Sequence, residues 1–107
     1  MSPDYVRARV QELRPLLAEC YDLALREDPT LDGKLVVEFV IGGEPEVGGI
    51  VEESRILDDS TVRHPVLDEC IQETMYMAEF EEPPAGGRVT VRYPFRMSPS
   101  AADARTP

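Results

Sequence analysis

The two cysteines are the residues of this 107-residue chain whose chemistry is most distinctive. Cys20 and Cys70 are far apart in the sequence, and they are compatible either with one disulfide or with two reduced thiols that act as small apolar residues. We expect no metal site, because a metal-binding cysteine pair usually has a spacing of about two to four positions with further ligands nearby. No cofactor is expected either.

The only histidine, His64, immediately precedes Pro65. A catalytic histidine needs a nucleophile or an orienting carboxylate placed by the fold. No set of nucleophile, base and oxyanion donors is evident in the sequence. We therefore expect His64 in a helix cap or a loop, and we expect the protein not to be an enzyme.

The charge of the chain is strongly negative, with a formal value of -10. Residues 44–82 hold most of the acidic side chains and only two arginines, whereas the region after residue 82 is basic. A phosphate backbone would be repelled overall, which argues against a nucleic-acid partner. The acidic region is either a solvated face, which we favour, or a surface that steers a basic partner.

Apolar residues at three- and four-residue spacing predict a helix that starts at Ser2-Pro3-Asp4. Pro15 interrupts it and predicts a kink or two abutting helices near Leu13-Arg14. A second helix is expected after Pro65. Its predicted inward stripe consists of Val66, Leu67, Cys70, Ile71, Thr74, Met77 and Ala78.

Three segments have the alternation of strands. The first runs from Lys34 to Ile41, and the second runs from about Val47 to Ile56 with a bulge expected at Gly48-Gly49. The stretch from Phe80 to Gly87 is typical of a rigid connector.

The last strand, from Arg88 to Met97, alternates without a break, and Pro94 predicts that it lies at a sheet edge. We expect one domain over residues 1–97 and a disordered tail over residues 98–107.

This element order predicts an α+β fold, a two-layer sandwich with a three-stranded antiparallel/mixed sheet. The strand order is 2-1-3, and both helices lie on one face. Cys20 and Cys70 each belong to the inward stripe of their helix, so they belong to the same side of the sheet.

Several short motifs together resemble the AgmX/PglI C-terminal domain family, which is similar in fold to the C-terminal domain of TonB. The resemblance covers about residues 8–97. It rests on Cys20-Tyr21, Ala24-Leu25, Pro29, Leu31, Gly33, the strand from Lys34 to Ile41, Cys70, Phe80, Pro83, Gly87 and Val91-Arg92-Tyr93-Pro94-Phe95.

The resemblance implies the periplasmic end of a larger envelope protein, anchored by a membrane segment outside this chain. Such proteins are linked to gliding motility and to TonB-like energy transduction or transport. A periplasmic location also favours the disulfide between Cys20 and Cys70 over reduced thiols.

The outward face of the last strand carries Arg88, Arg92 and Arg96. They are either gatekeepers against aggregation or the flank of an edge that accepts an extended peptide, and the residues alone leave both open. The resemblance to TonB favours docking of a peptide from an envelope or outer-membrane protein, with Arg88, Arg92, Tyr93 and Arg96 at the contact. The alternative hypothesis is a homodimer formed through the same edge.

Overall fold

The computed structural model describes residues 1–44, 46–84 and 87–98. Most of the predicted tail, residues 99–107, lies outside the described residues. In chain order the elements are α1 (Pro3–Gln11), α2 (Arg14–Glu27), β1 (Gly33–Glu44), β2 (Gly48–Ile56), α3 (Pro65–Thr74), a 3₁₀ helix (Met75–Met77), β3 (Glu79–Phe80) and β4 (Arg88–Met97).

The N-terminal helical segment is divided as Pro15 predicts. The Ser2 hydroxyl accepts a hydrogen bond from the Tyr5 N–H at 3.1 Å and caps α1. The helix ends at Gln11, and α2 begins at Arg14 with Pro15 in its first turn, where a missing N–H removes no helical hydrogen bond. The described chain therefore has three α-helices, so the predicted number of two is wrong.

The sheet confirms the α+β class and the predicted arrangement of the long strands. Its order is β3-β2-β1-β4, and every neighbouring pair is antiparallel. The prediction of three strands is wrong because β3 adds a short fourth strand beside β2. Gly49 explains this contact, since a Cβ at that position would lie 2.3 Å from the Glu81 carbonyl oxygen. The segment expected to be only a connector thus begins as a strand.

The bulge in β2 is not at Gly48-Gly49, as predicted, but at Glu52. Val40 pairs with Glu53 and Ile41 with Val51, which leaves Glu52 without a partner residue in β1. Gly48 and Gly49 instead allow β3 to approach β2 closely. Because Glu52 is the bulged residue, its carboxyl group lies over Gly42. A Cβ on Gly42 would be 2.3 Å from the Cδ atom of Glu52.

The core lies between one face of the sheet and the helices. Phe39 of β1 is fully buried and stacks on Phe80 of β3 with ring centroids 6.0 Å apart. Met77 was predicted to face the core, but it lies outside the core and is 61% exposed. The chain turns into the 3₁₀ helix after Thr74, and this shorter helical repeat buries Met75 instead.

A disulfide joins α2 to α3. The sulfur atoms of Cys20 and Cys70 are 2.09 Å apart, which confirms both the pairing and the placement of the two helices on the same face of the sheet. Disulfides persist in oxidising compartments, so the pair is consistent with a location outside the cytoplasm. In the described part of the chain, no helix has the length and apolar character to cross a bilayer.

His64 caps α3, as its position before Pro65 predicts. Its Nδ1 atom accepts a hydrogen bond from the Val66 N–H at 3.1 Å. We expect His64→Ala to lower the free energy of unfolding by about 1 kcal/mol, because the first turn of α3 loses its side-chain acceptor. His64→Asn keeps an acceptor and should retain most of the stability in urea unfolding. Equal losses in both variants would contradict the capping role.

Candidate functional site

The outer edge of β4 is open along its length in the described chain. The Val36 N–H donates to the Ser60 hydroxyl at 2.8 Å, and the Val36 carbonyl accepts from the Leu57 N–H at 2.9 Å. The backbone of Val36 therefore faces away from β4. Because Val36 is the register partner of Pro94, the even-numbered residues of β4 direct their backbone groups away from β1. Pro94 lies at one of these outward positions, so its missing N–H interrupts no bond of the sheet.

At the opposite edge of the sheet, α1 bonds the backbone at β3, which pairs with Gly49 and Ile50 of β2. Arg9 Nε donates to the Glu79 carbonyl at 2.7 Å, and the Glu81 N–H donates to the Tyr5 hydroxyl at 2.7 Å. These bonds satisfy backbone groups in and beside β3. The short β3 is thus capped by side chains of α1, whereas no strand or side-chain cap of this kind lies beside β4 in the described chain.

The three predicted arginines lie on the face of β4 opposite the helices, and each forms an ion pair within the chain. The nitrogen–oxygen distances are 2.6 Å for Arg88–Glu52, 3.2 Å for Arg92–Asp59 and 3.1 Å for Arg96–Asp32. The hydrogen bond to Glu52 raises the pKa of Arg88 above its usual value. All three arginine side chains are at least 60% exposed, so solvent screens each pair and its contribution to stability is small. A partner carboxylate can replace these pairs at little cost.

The fourth predicted contact residue, Tyr93, lies on the helix face of β4. Its ring packs against Phe95 with centroids 4.8 Å apart, and both side chains are only half-buried. The predicted contact residues are therefore divided between the two faces of the strand. A segment added at the edge would contact both sets, because its side chains alternate between the same two faces.

A groove runs between β4 and the first two helices, and the sequence reasoning did not find it. It holds a cavity of about 240 Å³. We call this cavity the β4 groove; the residues that line it are Val10, Gln11, Arg14, Leu17, Ala18, Tyr21, Tyr93, Pro94, Phe95, Arg96, Met97 and Ser98. The alternation of β4 predicts apolar residues toward the helices, but it contains no signal for how much of them the helices leave uncovered.

Tyr21 forms part of the wall of the β4 groove. Its hydroxyl donates to the Leu31 carbonyl. Burial raises the pKa of Tyr21, and the nearby Asp32 carboxylate raises it further. The hydroxyl is thus neutral at physiological pH and engaged in holding the turn after α2, which leaves the aromatic ring as its contribution to the groove.

The chemistry available at this edge is recognition by main-chain hydrogen bonds, supported by an apolar groove on one face and arginines on the other. Among the described residues, no group of three or more histidine, cysteine, aspartate or glutamate side chains is placed to hold a metal ion. A scan against models of protein families and searches of curated proteins and of solved structures find no match to this chain. The AgmX/PglI resemblance therefore remains a hypothesis.

Proposed function

We propose that this chain is a non-enzymatic protein–protein interaction domain that docks an extended partner peptide by strand addition at β4. The observation that carries the proposal is the difference between the two edges of the sheet. Arg9 and Tyr5 bond the backbone at the β3 edge, whereas the outward groups of β4 have no strand beside them in the described chain. A row of backbone donors and acceptors is the surface that an added strand uses.

The setting that we propose is the periplasm, as part of a TonB-like envelope-spanning machine for gliding motility or transport. The disulfide supports an oxidising compartment. The motifs shared with the AgmX/PglI family support the machine and the partner class, an envelope or outer-membrane protein. The membrane anchor of such a machine would lie outside this chain.

Self-association through β4 is the competing proposal, and the arginines disfavour it in the two registers centred on Arg92 and on Pro94. A twofold axis at Arg92 would place Arg92 opposite its own copy and Arg88 opposite Arg96. An axis at Pro94 would place Arg92 opposite Arg96 and leave the central pair without N–H donors. Like charges directly opposite each other destabilise a pair of strands. Each chain also carries a net charge of -10, which adds repulsion between copies.

Reversal of two arginine charges tests the edge. We expect Arg92→Glu combined with Arg96→Glu to abolish capture of envelope proteins in a crosslinking pull-down with this chain as bait. Thermal unfolding should change little, because the replaced ion pairs with Asp59 and Asp32 are exposed.

The matched control is Arg26→Glu combined with Arg55→Glu, which changes the net charge equally and replaces no residue of β4. Its thermal unfolding is measured as well, because Arg55→Glu breaks an ion pair with Glu38 at 2.7 Å. Capture should survive in this control. Undiminished capture by the β4 variant would reject docking at this edge. Sedimentation that shows a dimer at increasing concentration, lost in the same variant, would instead support self-association.

A further inference from the structure

We infer that the β4 groove recognises two side chains of the partner segment. One is apolar and fills the cavity, and the other is a carboxylate that binds Arg14. The inference rests on the proposed strand addition and adds the chemistry of the segment that β4 accepts. It uses a residue outside the predicted contact set.

Arg14 is the groove arginine that has no acidic partner. It is exposed at the start of α2 and lines the cavity together with Tyr93 and Phe95. Across residues 1–44, 46–84 and 87–98, no carboxylate lies within ion-pair distance of its guanidinium. Arg96, on the same cavity, is held by Asp32 at 3.1 Å. The first turn of α2 contains no acidic residue that offsets the charge of Arg14.

Five of the eleven basic side chains of the chain line the β4 edge or its flanking grooves, namely Arg7, Arg14, Arg88, Arg92 and Arg96. Four of them are paired with the carboxylates of Asp4, Glu52, Asp59 and Asp32, which leaves the positive charge of Arg14 without a counter-charge among the described residues. This charge is complementary to an acidic segment. It is not complementary to a second copy of β4, which would bring its own arginines to the same place. The occupant that fits is therefore an acidic peptide from another protein.

The apolar part of the inference follows from the uncovered aromatic residues. A strand added to β4 lies about 4.8 Å beyond it, and every second side chain points to the helix face. There it meets the half-buried rings of Tyr93 and Phe95 and the buried Leu17 side chain beneath them. Filling this cavity with an apolar side chain removes the exposed ring surface from water.

The two recognised side chains belong to the same face of the added strand. Residues two positions apart in a strand share a face and lie about 7 Å apart, whereas adjacent residues lie on opposite faces. The partner motif is therefore an aromatic or large aliphatic residue with an acidic residue two positions away. An acidic residue next to the apolar one would instead face Arg92 or Arg96.

Synthetic peptides provide the test. The parent is a fluorescein-labelled ten-residue peptide that alternates Val and Thr, with one Val replaced by Phe and the next Val along replaced by Asp. A second peptide carries Asn instead of Asp, and a third carries the Asp at the Thr beside the Phe. Affinities are measured by fluorescence anisotropy on the oxidised wild-type chain, on Arg14→Gln, and on Arg26→Gln as a control in the same helix.

We expect Arg14→Gln to weaken binding of the parent peptide by about threefold to tenfold and to leave binding of the Asn peptide within about twofold. The third peptide should also be insensitive to Arg14→Gln. Arg26→Gln should change none of the three affinities. A purely structural role of Arg14 would weaken all three peptides equally.

The outcomes separate the inference from the proposed function. Equal weakening of the Asp and Asn peptides by Arg14→Gln would overturn the groove inference. Binding that is unchanged in Arg14→Gln but lost when an outward N–H of β4 is removed, as in Thr90→Pro, would also overturn the groove inference. That result would still support strand addition. If none of the peptides bound the wild-type chain, the groove inference would be overturned, whereas the proposed function would be decided by the pull-down with the Arg92→Glu, Arg96→Glu variant.

Discussion

Loss of the disulfide is expected to lower the free energy of unfolding by about 3 to 4 kcal/mol. The bond between Cys20 and Cys70 closes a separation of 50 residues, and the chain-entropy model assigns this order of stabilisation to a loop of that size. It also ties α2 to α3 over the same face of the sheet. The measurement is urea unfolding of the Cys20→Ala, Cys70→Ala double variant beside the oxidised wild type.

Reduction of the wild-type chain is the control, because it opens the bond without changing any side-chain volume by substitution. The reduced wild type and the double variant should have similar stability. The packing of Cys20 is a separate contribution, since it is almost completely buried and its sulfur lies 3.5 Å from the Thr74 hydroxyl. Equal stability of the oxidised and reduced wild type would refute a stabilising role for the bond.

Proline substitutions at two adjacent residues of β4, Thr90 and Val91, should affect different properties. The first should reduce binding, and the second should reduce stability. The Thr90 N–H faces outward, so Thr90→Pro should weaken strand addition by removing one of the outward donors that remain beside Pro94. It should leave the fold largely intact, because Pro94 at an equivalent position is already accommodated in the sheet. The Val91 N–H faces the Phe39 carbonyl across the ladder. Val91→Pro should lower the free energy of unfolding by about 2 to 3 kcal/mol or more, because it removes a sheet hydrogen bond and leaves a buried carbonyl unpaired.

The two variants are compared by circular dichroism melting and by capture of the partner peptide or protein. Thr90→Val controls for loss of the Thr90 side chain, because it keeps the backbone N–H and should retain binding. If Thr90→Pro bound as well as the wild type, main-chain pairing at β4 would be rejected. If it unfolded as readily as Val91→Pro, the assignment of outward and inward backbone positions would be wrong.

Local rules predicted the features of the fold that depend on neighbouring residues. Pro15 divides the first helical segment, His64 caps α3 and Pro94 lies at an outward edge position, and each follows from the bonding capacity of one residue type. Alternation over Arg88 to Met97 likewise predicted which side chains of β4 share a face.

Features that depend on distant parts of the chain were missed or misplaced. The two-residue strand β3 is too short for a periodic signal. The pair Gly48-Gly49 predicts a bulge by local rules, whereas Gly49 in fact allows the close approach of the Glu81 carbonyl. The pairing of Arg88 with Glu52 depends on the actual bulge and on Gly42 between them. No local pattern in the sequence contains these distances.

In the candidate site, too, the local features were predicted and the features that depend on distant parts of the chain were not. The arginine face was predicted from the alternation of β4 and the edge from Pro94, but the β4 groove was not predicted. Its existence depends on how far α1 and α2 extend over the last strand, which is a property of helix packing and not of the strand. Arg14 has no distinguishing mark in the sequence, since its importance lies in its position beside Tyr93 and Phe95.

The capped β3 edge also limits how large an assembly can become. Filaments built by sheet extension need a donor edge and an acceptor edge on every subunit, so that each addition regenerates a site for the next one. Here Arg9 and Tyr5 occupy backbone groups at β3, so a strand arriving there would have to displace them. If strand addition takes place at β4 as proposed, the capped β3 would oppose a second addition and with it the growth of a fibre.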